Sequence, residues 1–128
     1  MMQQTKKILV VDDDERNIFA MKAVLVSRGL TCVTARSGTQ AMELLQNQQD
    51  ILVALVDMMM PGMDGYQLMG LLRNIPAVRQ LRLIAVTAQA MAGDKEKCLA
   101  AGADAYISKP VDTDMLFGIL QEQLKQTG

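Results

Sequence analysis

The chain has 128 residues, of which 50% are hydrophobic and 21% charged, a composition that excludes intrinsic disorder and favours one globular domain. Its 13 Lys and Arg stand against 14 Asp and Glu, so the net charge of −1 does not indicate a nucleic-acid-binding surface. The chain has no His, and its two Cys, Cys32 and Cys98, lie far apart, which leaves too few ligands for a zinc site. Carboxylates, Lys, Thr and Tyr remain as the side chains able to do chemistry.

Two further observations concern the cellular location of the protein. The longest continuous apolar run, Ile51–Val56, is far shorter than the roughly 20 residues that span a bilayer. The amino terminus, MMQQTKK, leads into a short strand-like run and lacks the apolar segment of a signal peptide. We therefore expect a cytoplasmic protein, with neither a membrane nor a nucleic acid as a direct partner.

In the first part of the chain, short apolar runs alternate with amphipathic stretches. Ile8–Val11 predicts a buried strand, and Glu15–Arg28 predicts a helix whose apolar residues recur on one face. Cys32–Ala35 predicts a second strand. Ser37 is predicted to cap the next helix, with Gln40 three residues later completing a capping box.

The alternation continues to the end of the chain. Ile51–Val56 is the strongest strand and is apolar on both faces, as in the centre of a parallel sheet. The later predicted elements are a helix, a strand, a helix, a strand and a last helix capped by Asp112, at Tyr66–Arg73, Leu83–Val86, Ala92–Ala101, Ala105–Ser108 and Thr113–Lys125.

Five strands that alternate with five helices predict an α/β fold. Right-handed βαβ units would build a parallel sheet covered by helices on both faces. We expect one doubly wound (βα)5 domain of the flavodoxin-like kind, with strand order 2-1-3-4-5. The domain is expected to span residues 1–128, with a core of about 7–125.

Acidic and polar side chains follow four of the predicted strands: Asp12, Asp13, Asp57, Thr87, Ser108 and Lys109. Because parallel strands end at the same edge of a sheet, these side chains should meet in one crevice. Two carboxylates about 4 Å apart repel by about 4 kcal/mol at an effective dielectric near 20. The three aspartates therefore need protons or a cation, and oxygen ligands without His or Cys select Mg²⁺ or Mn²⁺.

This arrangement favours a cation-assisted phosphoryl site. Asp57 is the best-placed nucleophile because it follows the central apolar strand and is already ionised at neutral pH. Attack on a phosphorus-containing donor would give an aspartyl phosphate. The metal ion and Lys109 would neutralise charge on the group being transferred, and the Thr87 hydroxyl would donate to a further oxygen.

Four sequence segments resemble response-regulator receiver domains: VVDDDERN, LVDMMMPGMDG, AVTA and YISKPVD. Each lies at the end of a predicted strand, and the resemblance runs from about Lys7 to Leu124. It implies that Asp57 is the phospho-acceptor and that Asp13 binds Mg²⁺ directly, whereas Asp12 acts through water. The backbone carbonyl of Met59 would be the third protein ligand of the metal.

The resemblance also implies roles for residues after the last two strands. Lys109 would pair with the phosphoryl group, and the bond from Lys109 to Pro110 would be cis. Thr87 would move toward the phosphoryl group on activation, with Ala88 beside it as the small residue that admits the donor. Tyr106 would be the aromatic switch residue that swings inward when Thr87 moves.

The function so implied is that of a phospho-accepting receiver in a two-component or phosphorelay system. Asp57 would take a phosphoryl group from a histidine of a sensor kinase or of a histidine phosphotransfer protein, and the change would alter a surface that binds a downstream protein. Such a protein is not an enzyme beyond self-phosphorylation and autodephosphorylation. The sequence leaves open whether it acts alone or belongs to a hybrid sensor kinase.

Other interpretations of the same residues are weaker. Asp14 and Glu15 are expected to be helix N-terminal residues favoured by the helix dipole. An aspartyl-phosphate phosphohydrolase would carry its nucleophile after the first strand, where Asp12 and the acids after it fit that pattern poorly. A flavodoxin-like FMN binder would need a Ser- and Thr-rich phosphate loop after that strand. A docking module that works without phosphorylation would not need the matched acids and Lys109.

Overall fold

The computed structural model describes residues 7–88 and 91–125. Within these residues five strands alternate with five α-helices, and one 3₁₀ turn, Pro76–Val78, precedes the fourth strand. The strands are β1 Lys7–Val11, β2 Thr31–Ala35, β3 Ile51–Asp57, β4 Arg82–Thr87 and β5 Ala105–Ser108. The helices are α1 Glu15–Ser27, α2 Gly38–Asn47, α3 Gly65–Arg73, α4 Asp94–Ala101 and α5 Thr113–Lys125.

The five strands form one parallel sheet in the order β2-β1-β3-β4-β5, which confirms the predicted fold. The register aligns the carboxyl ends of neighbouring strands. Val11 at the end of β1 pairs with Val56, and Asp57 at the end of β3 pairs with Val86. Thr87 pairs with Ser108. The residues that follow the strands are therefore delivered to one edge of the sheet.

Each face of the sheet carries its own apolar core, because side chains alternate between the faces of a strand. One core contains Leu9, Ala54 and Val56 of the strands with apolar residues of α2, α3 and α4. The other contains Ile8 and Leu55 with apolar residues of α1 and α5. The central strand β3 contributes to both cores, as its unbroken apolar sequence predicted.

The loop after β3 returns tightly into α3. Asp64 caps this helix in a full capping box with Gln67, which the prediction of a start at Tyr66 overlooked. Gly65 lies so close to the end of β3 that an added Cβ would stand 2.7 Å from the Cα of Met58. Only glycine fits there, so the sequence after Asp57 is constrained by packing as well as by chemistry.

Two local predictions were wrong. The fourth helix begins at Asp94 and not at Ala92, because its N-cap residue Gly93 has a φ of 87°, in the left-handed region where a helix cannot run. Ser37 does cap α2, but the side chain of Gln40 accepts from the backbone N–H of Arg36 and not from that of Ser37. The reciprocal half of the predicted capping box is therefore displaced by one residue.

Within the two described segments, no helix is both long and apolar enough to cross a membrane. Cys32 and Cys98 are free thiols, the first half-buried and the second buried.

Candidate functional site

Three aspartates meet at the carboxyl edge of the sheet. Asp12 and Asp13 follow β1, and Asp57 is the last residue of β3. Each offers a carboxylate oxygen, and these three oxygens lie within 4.8 Å of one another. Asp12 and Asp57 are each only 6% exposed, so solvent screens their mutual repulsion weakly.

Lys109 is the cation of this cluster. Its Nζ lies 3.5 Å from Asp57 Oδ1 and 3.7 Å from Asp12 Oδ2, so a single ammonium group faces two buried carboxylates. The backbone N–H of Lys109 donates to the carbonyl oxygen of Thr87 over 2.7 Å, which ties the residue after β5 to the end of β4. The peptide bond between Lys109 and Pro110 is cis, as the resemblance implied.

Backbone amides hold the buried carboxylates in place. Asp57 Oδ1 accepts from the N–H of Met59 over 3.1 Å, and Asp12 Oδ1 accepts from the N–H of Asp14 over 2.9 Å. Each bond spans two residues, as in an Asx turn. The turn after each strand therefore directs its aspartate side chain back over the edge of the sheet.

Burial and mutual repulsion make it costly to keep all three aspartates of the cluster ionised. Burial, together with the nearby carboxylates of Asp57 and Asp13, raises the pKa of Asp12 against the opposing effects of the Asp14 amide and Lys109. Three acids with one lysine leave a surplus of negative charge. The oxygen donors fit a small hard cation such as Mg²⁺.

The two residues at the end of β4 differ in accessibility. Thr87 is 1% exposed, whereas Ala88 directly after it is exposed. Asp57 pairs with Val86 across the sheet, so Thr87 lies one residue beyond the partner of the candidate phospho-acceptor. Met59, whose carbonyl was predicted to bind the metal, is in the loop after β3, and its side chain is exposed.

Tyr106 lies in β5, half-buried against the core on the side of α3 and α4. It pairs with Ala85 in β4, and Thr87 pairs with Ser108, so Tyr106 and Thr87 lie on the same face of the sheet. Its hydroxyl donates to Asp94 Oδ2 over 3.2 Å. Asp94 was not among the predicted site residues, since an acid at the start of a helix ordinarily stabilises the helix dipole.

The acids just after the cluster have the predicted structural role. Asp14 is the N-cap of α1 and accepts from the N–H of Arg16 over 2.8 Å. This hydrogen bond lowers the pKa of Asp14. Glu15 is exposed in the first turn of the helix and pairs with Arg36.

A groove of about 510 Å³ adjoins the acidic cluster between α1 and α5. Asp12, Asp57 and Lys109 line it together with two further polar residues, Asn17 and Thr113, and the remaining lining is apolar. Phe19 on α1 is 77% exposed.

Comparison with known proteins assigns this arrangement to a family. Residues 8–121 match the model of the response regulator receiver domain. DivK of Brucella ovis, a polar-differentiation response regulator, is 31% identical over 120 residues, which cover 94% of this chain and 97% of that protein. BarA of Shigella flexneri, a signal transduction histidine-protein kinase, is 38% identical over 113 residues, which cover 88% of this chain but 12% of that protein.

Solved structures show the same fold. The receiver domain of the Francisella response regulator 1452 superposes with a TM-score of 0.87 at 28% identity, covering 96% of this chain and 99% of that one. The receiver domain of a signal transduction histidine kinase from Syntrophus aciditrophicus gives 0.85 at 29% identity, covering 94% and 91%.

The matched kinases are much longer than this chain, which spans 7 to 13% of their length. The similarity to them concerns their receiver domains alone, whereas it extends over nearly the whole of DivK. The sheet order, the acids at its carboxyl edge and the match over residues 8–121 all agree, and the chain belongs to the response regulator receiver domain family.

Proposed function

We propose that Asp57 accepts a phosphoryl group from a histidine of a sensor kinase or of a histidine phosphotransfer protein. The proposal rests on the environment of the Asp57 carboxylate. It is 6% exposed, lies in a cluster with two other acids within 4.8 Å, and has Lys109 Nζ 3.5 Å from its Oδ1. A carboxylate needed only for folding would not be placed among like charges.

In the proposed reaction, an oxygen of Asp57 attacks phosphorus and the phosphorus–nitrogen bond of the donor phosphohistidine breaks. The electron pair of that bond returns to the imidazole, which takes a proton. We assign the attack to Oδ2, because Oδ1 is held by the N–H of Met59. The ammonium group of Lys109, 3.5 Å from Asp57 Oδ1, would offset negative charge on the transferring phosphoryl group.

Asp12, Asp13 and Asp57 would hold a Mg²⁺ ion, with the Met59 carbonyl as the further protein ligand. The ion would supply charge neutralisation for the incoming phosphoryl oxygens and would relieve the repulsion among the three carboxylates. Asp12 and Asp57 are fixed for this role by the amides of Asp14 and Met59, so ion binding needs little rearrangement of these side chains.

The proposed consequence of phosphorylation is a shift between two arrangements of the β4–β5 region. A phosphoryl group on Asp57 adds an acceptor close to Thr87, whose hydroxyl would move toward it, and Tyr106 on the same face would follow. Receiver domains are in general signalling domains and not enzymes. We infer that the chemistry of this chain is limited to gaining and losing one phosphoryl group, and that its output is a change in binding to a downstream protein.

The proposed donor surface includes α1. Phe19 is an exposed aromatic side chain on this helix, and Asp57 and Lys109 are among the residues that line the adjoining groove. A partner helix that carries the phosphohistidine would reach Asp57 across this end of the molecule. Several relatives of the chain are histidine kinases, which supports a partner of this class.

The test is incubation with acetyl phosphate and Mg²⁺ followed by intact-mass measurement. We expect the mass of one added phosphoryl group on the unmodified sequence and none on Asp57→Asn. Asp50→Asn is the matched control, because Asp50 is an exposed aspartate directly before the same strand. It should be phosphorylated like the unmodified protein. An equal increment on Asp57→Asn would overturn the assignment of the acceptor.

A further inference from the structure

A second cluster of polar side chains lies behind the switch residue Tyr106. Asp94, the first residue of α4, is only 8% exposed. Its Oδ1 accepts from the hydroxyl of Tyr66 over 3.3 Å, and its Oδ2 accepts from the hydroxyl of Tyr106 over 3.2 Å. One carboxylate thus joins α3, α4 and β5, and the phosphoryl transfer proposed above does not use it.

The Asp94 carboxylate and the tyrosines around it are held by several specific contacts. A buried carboxylate is costly unless its oxygens are hydrogen-bonded. Here each oxygen accepts a hydrogen bond from a tyrosine hydroxyl. Tyr66 is held in turn by α4, since Cys98 Sγ donates weakly to its hydroxyl over 3.9 Å and Lys97 Nζ lies 4.5 Å from its ring centre. The N-cap of α4 is Gly93, which has no side chain to cap the helix, and both oxygens of Asp94, the next residue, accept from the phenols.

We propose that Asp94 is a positioning residue for Tyr106, and that the cluster Tyr66–Asp94–Tyr106 couples the position of this tyrosine to the first turn of α4. Any displacement of the Tyr106 hydroxyl then breaks or redirects a bond to the residue that begins the helix. The proposal rests on the proposed function only in taking Tyr106 as the residue that moves on phosphorylation.

The ionisation of the two phenols reflects the same contacts. Burial raises the pKa of Tyr106, and the hydrogen bond and negative charge of Asp94 raise it further. Burial is also the main cause of the raised pKa of Tyr66, to which Cys98 and Asp94 add. Removal of the Asp94 carboxylate should therefore lower both pKa values while the effect of burial remains.

The composition of the chain makes this cluster directly observable. The chain has two Tyr and no Trp, so Tyr66 and Tyr106 supply all of its tyrosine and tryptophan emission. Tyr66→Phe leaves Tyr106 as the single reporter. A hydrogen bond to a carboxylate quenches phenol emission, so in this background Asp94→Ala should raise the emission and lower the pKa found by phenolate absorbance.

The matched control is Glu96→Ala in the same background. Glu96 is an exposed acid in the same first turn of α4, so its removal changes the helix charge equally. It should leave the emission and the pKa of Tyr106 unchanged. Asp94→Asn, which keeps an acceptor oxygen and loses the charge, should fall between Asp94→Ala and the Tyr66→Phe parent. Equal behaviour of Asp94→Ala and Glu96→Ala would overturn the positioning role, with circular dichroism confirming that both variants are folded.

The coupling is tested separately by phosphorylation. In the Tyr66→Phe background, acetyl phosphate with Mg²⁺ should change the Tyr106 emission, and Asp94→Ala should reduce that change. Intact mass measured on the same samples reports whether Asp57 is phosphorylated. Unchanged emission in a sample whose mass shows the phosphoryl group would overturn the coupling. Absence of the mass increment would instead contradict the proposed function, while the emission of the unphosphorylated variants would still decide the role of Asp94.

Discussion

The carboxylates at the two ends of the sheet differ in how much positive charge surrounds them. At the amino end, Asp104 before β5 accepts from Arg73 over 2.7 Å, from Arg82 over 3.3 Å and from the N–H of Leu83 over 2.8 Å. At the carboxyl end, Asp12 and Asp57 share the single ammonium group of Lys109 at 3.5 to 3.7 Å. The group around Asp104 has two cations for one acid, whereas the cluster of Asp12, Asp13 and Asp57 has one lysine for three acids.

This difference separates a structural ion-pair network from a site that lacks charge balance by itself. The side chain of Arg73 also donates to the carbonyl oxygens of Arg79, Leu81 and Gly102, so it connects the loop before β4 to the loop before β5. Among the described hydrogen bonds, the side-chain ammonium of Lys109 has no comparable set of carbonyl acceptors. It lies at ion-pair distance from the carboxylates of Asp12 and Asp57. The surplus of negative charge in the cluster of three aspartates supports the proposed Mg²⁺ site.

The largest expected effect on stability comes from removing Asp104 from the ion-pair network at the amino end of the sheet. Asp104→Ala leaves Arg73 and Arg82 without their shared carboxylate. Loss of one partner of a buried ion pair costs about 3 to 5 kcal/mol. Since the Asp104 and Arg73 side chains are 23% and 26% exposed, we expect a loss of about 2 to 3 kcal/mol in the free energy of unfolding.

Urea unfolding of Asp104→Ala measures this loss. Asp114→Ala is the control, because its pair with Arg28 is long, at 3.6 Å, and the Asp114 side chain is 94% exposed. Its loss should stay below about 1 kcal/mol. Equal losses in the two variants would show that the amino end is not the stabilising network that its geometry indicates.

Much of this contrast was predictable from the sequence, and the reason is topological. In a parallel sheet, any residue directly after a strand reaches the carboxyl edge, so Asp12, Asp57 and Lys109 could be placed together without knowing a single side-chain contact. The alternation of elements predicted a parallel sheet, and the order 2-1-3-4-5 was taken from one of the common doubly wound folds. The positions at the edge of the sheet are thus fixed by local sequence signals.

The contacts that the prediction missed depend on side chains distant in sequence. Arg73 meets Asp104 across 31 residues, and Tyr66 meets Asp94 across 28. An arginine at the end of a helix and an acid at the start of another are each typical of solvated helix ends, so neither sequence position indicates a buried partner. The start of α4 was misplaced for a local reason, since the left-handed conformation of Gly93 is not visible in the pattern of apolar residues.

The next effect concerns the charge surplus at the carboxyl end. We expect Mg²⁺ to stabilise the protein, because an ion bound only to the folded state adds about 1.4 kcal/mol at ten times its dissociation constant. Asp13→Ala should abolish this gain. Thermal unfolding with and without Mg²⁺, at matched ionic strength, measures the effect.

Glu15→Gln is the control for the metal experiment. Glu15 is an exposed acid of the first turn of α1, paired with Arg36 and outside the cluster of three aspartates. The variant should retain the full stabilisation by Mg²⁺. If the unmodified protein shows no stabilisation at any Mg²⁺ concentration, the carboxyl end is not a metal site and its repulsion must be relieved in another way.

The smallest expected effect compares the pH response of the two ends. Asp50 lies directly before β3 at the amino end, and a hydrogen bond and ion pair with Lys7, 3.0 Å away, lower its pKa from the ordinary value of 3.8. A carboxyl group with a lowered pKa in the folded state stabilises the protein above its ordinary value, and this contribution is lost as the pH falls through the folded value. Asp12 at the carboxyl end has its pKa raised, so its ionisation opposes folding.

Asp50→Asn should therefore be slightly less stable than the unmodified protein at neutral pH, and the difference should vanish well below pH 3.8. Urea unfolding at a series of pH values measures it. A difference that grows as the pH falls would have the wrong sign, since it would require Asp50 to stabilise the protein in its protonated form. The pair with Lys7 would then not be the source of the stabilisation, and the amino end would owe its charge balance to Asp104 and its two arginines alone.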